Sequence, residues 1–308
     1  MTPEQKAYEA ALREHLADRA RLLLGANVQV QGLLKTARED MATLLAQQSA
    51  DGAQWRLQQL KDRLDVVLNA LAQDAGVAVD GALRSAWQQG EDFVDAPLAA
   101  AKIIDLQTRL GALDPTVLAA MRAFSVDRIR DVTDEARSRI GRQLALVTIG
   151  GTTPYEAIQQ VHAQLGGPTV SRAATIVNTE VSRAFAVASQ ARMEEAVDYV
   201  PDLEKQWRRS GKIHSRVQHD LMDGVRVPVN GKFKVPNPNG GHDMMTGPHD
   251  PAAPPEQVIH CGCVARPWRA GWQMQHPGAK PFTELERKLD GRKAALDQAA
   301  KRAGLRAE

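Results

Sequence analysis

A chain of 308 residues, 43% hydrophobic and 25% charged, has the composition of an ordinary globular protein and length enough for about two domains. Its 39 basic and 37 acidic residues leave a net charge of +2, which excludes a surface that coats nucleic acid uniformly and leaves only local patches for such a role. Aromatic residues are 4% of the chain while alanine and leucine dominate its first two thirds, which favours helix-on-helix packing over an aromatic-rich β architecture. No run approaches the ~18 apolar residues of a membrane span, the opening Met1 to Lys6 is polar, and two cysteines one residue apart make a poor disulfide. The expectation is a soluble protein with no membrane partner, made in a reducing cytosol.

Thr2-Pro3-Glu4-Gln5 combines a cap with a proline at the first helical position and predicts a helix to about Leu24, with Tyr8, Leu12, Leu16 and Leu23 inward. After Gly25 the spacing of Val30, Leu34, Ala37 and Met41 predicts a second helix, and Leu57, Leu60, Leu64, Leu68 and Leu71 a third. Val79, Leu83, Trp87 and Phe93 predict a fourth, ending by Asp95-Ala96-Pro97. Residues 1–110 thus read as an antiparallel bundle without chemistry, a domain for docking. Leu98 to Leu113 continues as helix, and Asp114-Pro115 restarts one after a boundary near residue 111. Val126 to Ile149 is amphipathic, Thr152-Thr153-Pro154 opens a further helix, and an alanine-rich one runs from Thr169 to about Tyr199.

From Lys205 to Trp268 the chain changes character, holding both cysteines and five of the eight histidines. Leu203 to Arg209 reads as a strand and His214 to Met222 as a short helix ending at Gly224. Asn230-Gly231 between Val225–Val229 and Lys232–Val235 signals a hairpin with a type I′ turn, and Gln257 to Arg266 is the expected third strand. Asn237 to Glu256 is a long Pro/Gly/His loop of the kind that carries function, and Thr283 to Glu308 reads as a surface or partner-binding helix. The expected class is mainly α with a small α+β domain and a short antiparallel sheet, divided into 1–110, 111–268 and a tail, 269–308.

If Cys261 and Cys263 share a strand, period-2 alternation puts both thiols on one face. With His219 from the short helix and a fourth ligand from His249, His242 or His260, they would make a tetrahedral zinc site; His260 would face away on a regular strand, so His249 is the better fourth ligand. A metal would supply folding free energy that a small sheet with a long loop lacks; the alternative is two cysteines buried simply as small hydrophobes. Between Lys205 and Lys234 there are eight basic and two acidic residues. Among them Arg208, Arg209, Lys212, Arg216 and Lys232 are the candidates for nonspecific contact with double-stranded DNA. Glu180 reads as a helix-surface or inter-domain ion pair, and Thr179 as a residue that caps or bends its helix.

In order along the chain stand Gly150 to Ile158, the Thr179-Glu180 helix, the Trp207 strand, Arg216-x-x-His219 with Gly224 five residues on, a Gly/Pro loop and Cys261-Gly262-Cys263. This series, over about Thr116 to Trp268, resembles the phage Mu F-like family of minor head proteins, the head morphogenesis domains. The chain departs from that family's pattern at Asn178, at Lys212 to His214 and at His260 and Gly262, which bears on a shared catalytic site and not on a shared fold. The resemblance implies a minor capsid protein of a tailed bacteriophage, assembled in the host cytoplasm into the virion head near the portal. It would act in head assembly and in DNA packaging or ejection, with the portal protein and the major capsid or scaffolding protein as partners. A rival reading is a zinc-dependent hydrolase or nuclease packaged in the virion, with Asp220 or Glu256 as base.

Overall fold

The Thr2 backbone N–H donates to Gln5 Oε1 (2.8 Å) and the Gln5 N–H to Thr2 Oγ1 (3.3 Å), a reciprocal cap that opens helix α1, Pro3–Ala46. In the computed structural model the described residues are 2–46, 54–148, 152, 156, 159–160, 163–237, 239–269 and 282–302. Helix α1 does not stop at Gly25 as its sequence predicts. A mid-helix glycine costs about 1 kcal/mol, and the buried stripe of Tyr8, Leu12, Ala26, Val30, Leu34, Ala37 and Met41 outweighs it.

The expected third and fourth helices are likewise one, α2, Gln54–Ala100, which takes Pro97 into its last turn. One eighteen-residue window of α2 is, by length and composition, apolar enough to cross a membrane, contrary to the expectation that no run approaches such a span; 44% of it is buried within the protein. Only Gln107–Leu110 (α3) is helical in the following stretch, because Lys102 adopts a left-handed φ of 55° and ends α2. Helix α4, Pro115–Thr148, starts where Asp114 Oδ1 accepts from the Thr116 N–H (2.9 Å), and it absorbs the helix expected from Val126. Helix α5 is Gly167–Ala196. The helix expected from Thr152 and the Gly150–Ile158 motif lie largely outside the described residues.

The remaining elements are β1 (Leu203–Arg208), α6 (Val217–Leu221), β2 (Arg226–Pro228), β3 (Phe233–Pro236), β4 (His242–Met245), α7 (Pro255–Val258), β5 (Val264–Arg269), α8 (Glu284–Leu289) and α9 (Gly291–Arg302). Two small antiparallel sheets result, ordered β2-β1-β5 and β3-β4. The expected hairpin is absent: β2 pairs with β1, Lys205 opposite Val227, while β3 pairs with β4, Phe233 opposite Met245. Asn230 and Gly231 do not take the positive φ that a type I′ turn requires, and the turn they form carries the chain from one sheet to the other. The third strand is β5, paired along the whole of β1; Gln257 and Val258 are helical in α7.

The protein is thus mainly helical with small antiparallel sheets. Compactness divides it otherwise than at residues 110 and 268. One unit comprises Met1–Arg19, Ala86–Leu113 and Ser182–Glu308 as far as they are described, and the other Ala20–Ser85 and Asp114–Val181. The helices α1, α2 and α5 each contribute to both, so a linear boundary does not exist. In the second unit Asn27 Nδ2 donates to Asn178 Oδ1 (2.8 Å), and Arg128 Nη1 lies 3.3 Å from Glu180, which is buried.

The first unit holds both sheets. Its start is tied to its end: Tyr8 Oη donates to the Pro267 carbonyl, and Arg266 Nη1 is 3.1 Å from Glu9. Arg192 reaches Asp95 with two bonds of 2.7 Å, both side chains buried. A Cβ at Gly90 would stand 2.5 Å from the Phe185 carbonyl, so only glycine lets α2 approach α5 there. Trp207, Met222, Phe233, Val235, Met245, Val258, Cys261 and Cys263 form one apolar cluster. The tail is two helices rather than one surface helix. Thr283 and Glu286 form the capping box of α8, and Glu286 and Lys293 are buried.

Candidate metal centre

Helix α6 follows Arg216, whose extended backbone (ψ 131°) ends the preceding turn, and it carries His219 into the apolar cluster. Gly224 then takes φ 86°, a conformation open to glycine, and its N–H donates to the Trp207 carbonyl (2.9 Å) while the Trp207 N–H donates to Val225 (2.9 Å). That turn brings β2 back onto β1. Trp207 is fully buried and stands edge-on to both His219 (5.3 Å between ring centres) and Phe233 (5.4 Å).

Cys261 and Cys263 lie between α7 and β5 and not on a strand, so alternation does not place them. They meet all the same. Cys261 Sγ is 3.5 Å and Cys263 Sγ 3.9 Å from His219 Nδ1, and the ligand atoms of all three lie within 4.8 Å of one another. Tetrahedral zinc, with bonds of about 2.3 Å to sulfur and about 2.0 Å to nitrogen, separates neighbouring ligands by about 3.5 Å. The three residues are therefore a preformed candidate metal-binding cluster. Gly262 is what permits the loop: a Cβ there would stand 2.8 Å from Ser210 Cβ and 3.0 Å from Lys212 Cε. His260, exposed at φ 58°, is not part of the cluster.

Gln257 and Asp243, which the sequence reading did not single out, orient the imidazole. Gln257 Nε2 donates to Asp243 Oδ2 (2.7 Å) and to the Pro236 carbonyl (3.1 Å), so its Oε1 faces His219 Nε2 (2.8 Å) as an acceptor. The His219 proton is thereby assigned to Nε2, and the Nδ1 lone pair points at the sulfurs, as in metal-bound histidines held by an outer hydrogen bond. In the sequence Gln257 is only a glutamine four positions before Cys261, which a spacing argument for metal ligands passes over. A hydrogen bond from Cys263 holds Cys261 well below the ordinary thiol range against the effect of burial. Cys263 is pushed well above that range by Cys261 and by burial. Thiolate is the form that binds a metal.

Beside His219, Cys261 and Cys263 opens a cleft of about 360 Å³, with Lys212, His214, Arg216 and Arg292 on its walls. The expected DNA-contacting residues do not form one surface. Arg209 is buried, its guanidinium on Glu286 and its backbone N–H donating to Asp223 (3.0 Å), and Arg208, 11% exposed in its side chain, lies 3.7 Å from Asp223. Both serve the interior, because Asp223 faces both and the tail brings Glu286 to Arg209. Lys212 is exposed with Nζ on the His260 carbonyl (2.8 Å), Arg216 donates to the Ile259 carbonyl, and Lys232 is exposed on the turn between the sheets.

Of the expected zinc ligands, His249 is buried beside Cys261 but outside the group of three. Asp220 holds Ser215 with both oxygens (2.7 and 2.8 Å) and Glu256 is exposed at the start of α7, so neither carboxylate is hydrogen-bonded to the cluster. Thr179 is interior to α5 and buried, and caps nothing. Compared with protein-family models, with curated proteins and with solved structures, the chain matches none.

Proposed function

We propose that this chain is a minor head protein of a tailed bacteriophage, of the Mu F-like kind. It acts beside the portal in head assembly and in DNA packaging or ejection, and a structural zinc on His219, Cys261 and Cys263 holds its α+β part. One observation carries the reading. The motifs of the resemblance that lie in the first unit, dispersed over residues 207–263, are engaged with one another: Trp207 packs on His219, Gly224 bonds Trp207, Arg216 holds the chain ahead of the cysteines, and His219 meets both sulfurs. Residues tied together in this way form a motif set for a physical reason.

Zinc suits the ligand set, since thiolate and imidazole are its usual structural donors. The test of the head reading is composition: purified procapsids and heads should contain this chain at low copy, with density next to the portal. Heads that lack it at every stage of assembly would overturn the proposal. The zinc hydrolase is the reading favoured by the cationic cleft; it requires an open metal position and a base at the metal.

DNA contact belongs to the cations that remain on the surface, Lys212 and Lys232, and to the half-buried Arg216. Reversing Lys212 and Lys232 together to glutamate should weaken retention on DNA at low salt and flatten the dependence of log affinity on log salt by about 2. Retention and slope that match the unaltered protein would reject this contact.

A further inference from the structure

The geometry points to His249 as the fourth protein ligand, which closes the metal centre and makes it structural; this rests on the zinc reading above. A closed tetrahedral site takes four protein ligands, and three stand ready. His249 is 1% exposed, and neither of its ring nitrogens has a hydrogen-bond partner. No other buried side chain among the described residues has two such atoms. An imidazole always carries at least one N–H donor, and leaving such a group buried and unmet costs about 1–3 kcal/mol. The ring is nonetheless held there.

What holds it is built into the loop. His249 takes φ 64°, in the left-handed region, where a non-glycine residue is strained and persists only when its surroundings impose it. Asp250 imposes it. Its Oδ2 accepts from the Thr246 N–H (2.7 Å) and hydroxyl (2.9 Å), and its Oδ1 from the Ala252 N–H (2.8 Å), while Pro248 and Pro251 restrict the chain on both sides. The ring so placed lines with Cys263 an apolar cavity of about 350 Å³ distinct from the cationic cleft. A buried, unpartnered imidazole, strained into place on a cavity wall that it shares with one cysteine of a Cys2His cluster, has a partner when a metal is bound. Binding then satisfies one nitrogen of His249.

The experiment uses the full chain loaded with Co2+ in place of zinc. The wild type should show the intense visible bands of four-coordinate cobalt together with thiolate-to-cobalt charge transfer. His249→Ala should keep the charge transfer, since both thiolates remain, lose visible intensity as water enters, and bind the metal at least about tenfold more weakly. His249→Cys should restore the intense bands and add a third thiolate's share of charge transfer, as Cys3His is also a zinc site. This variant decides the matter if the alanine protein does not fold. A wild-type spectrum retained in His249→Ala, or no added charge transfer in a folded His249→Cys, overturns His249 as ligand and leaves the zinc reading standing. A wild type that binds neither zinc nor cobalt overturns both.

Discussion

Cys261→Ser, or removal of zinc by a chelator, should lower the Tm of the intact protein by on the order of 10 °C. A ligand present at a thousand times its dissociation constant stabilises the folded state by about 4 kcal/mol, and each kcal/mol shifts the Tm of a unit of this size by about 2–4 °C. The effect is large because a metal would join the loop that carries the cysteines to α6 through His219. Apart from β4 and the short α7, the stretch from Asn237 to Cys263 forms no regular structure among the described residues. The full chain is the proper object, since α1, α2 and α5 are shared by both compact units and a fragment starting at residue 111 would lack the first two. Metal analysis before and after chelation, paired with calorimetry, makes the comparison. A stoichiometric zinc content with an unmoved transition would separate binding from stability, and no zinc at all would make Cys261 and Cys263 plain core residues.

Glu286→Ala should cost about 3–5 kcal/mol, the usual loss when one partner of a buried ion pair is removed. Glu286 accepts from Arg209 Nη1 (2.5 Å) and from Lys293 Nζ (2.9 Å), and all three side chains are at most 4% exposed. Phe282 lies beneath both cations, 4.4 Å from the Arg209 guanidinium and 5.5 Å from Lys293 Nζ. Without the carboxylate two positive charges stay in the interior. Lys293 also donates to the Lys212 carbonyl, so the loss should loosen the wall of the cationic cleft as well as the tail. Burial works to raise the Glu286 carboxyl, but hydrogen bonds from Arg209, Thr283 and Lys293 prevail and hold it well below the ordinary carboxylate range. A lowered folded-state pKa stabilises above the unfolded value of about 4.3, and that contribution disappears as pH falls further toward the folded value. Melting followed from pH 7 downward should therefore show the wild type losing its advantage over Glu286→Ala in acid. Equal melting at neutral pH would show that the Glu286 carboxylate does not stabilise the fold.

The sequence by itself determined where several helices begin and which side chains form the candidate metal-binding cluster. Thr2, Asp114 and Thr283 cap helices with their own side chains, and His219, Cys261 and Cys263 are the residue types a soft metal selects, so local chemistry suffices. Tertiary structure decided the rest, wherever a local preference of about 1 kcal/mol met a larger long-range term. Gly25 did not end α1 because a buried stripe runs through it, and Asn230-Gly231 did not close a hairpin because β1 took β2 as its partner. The cysteines came together with His219 through the path of a loop and not through strand alternation. Arg209 looked like a surface cation and became an interior one because Glu286, 77 residues later, reached it. Whether a charge lies in solvent or is buried depends on a counter-charge that spacing does not reveal, and Gln257 acquired its role at His219 only once Asp243 and Pro236 had taken its N–H donors.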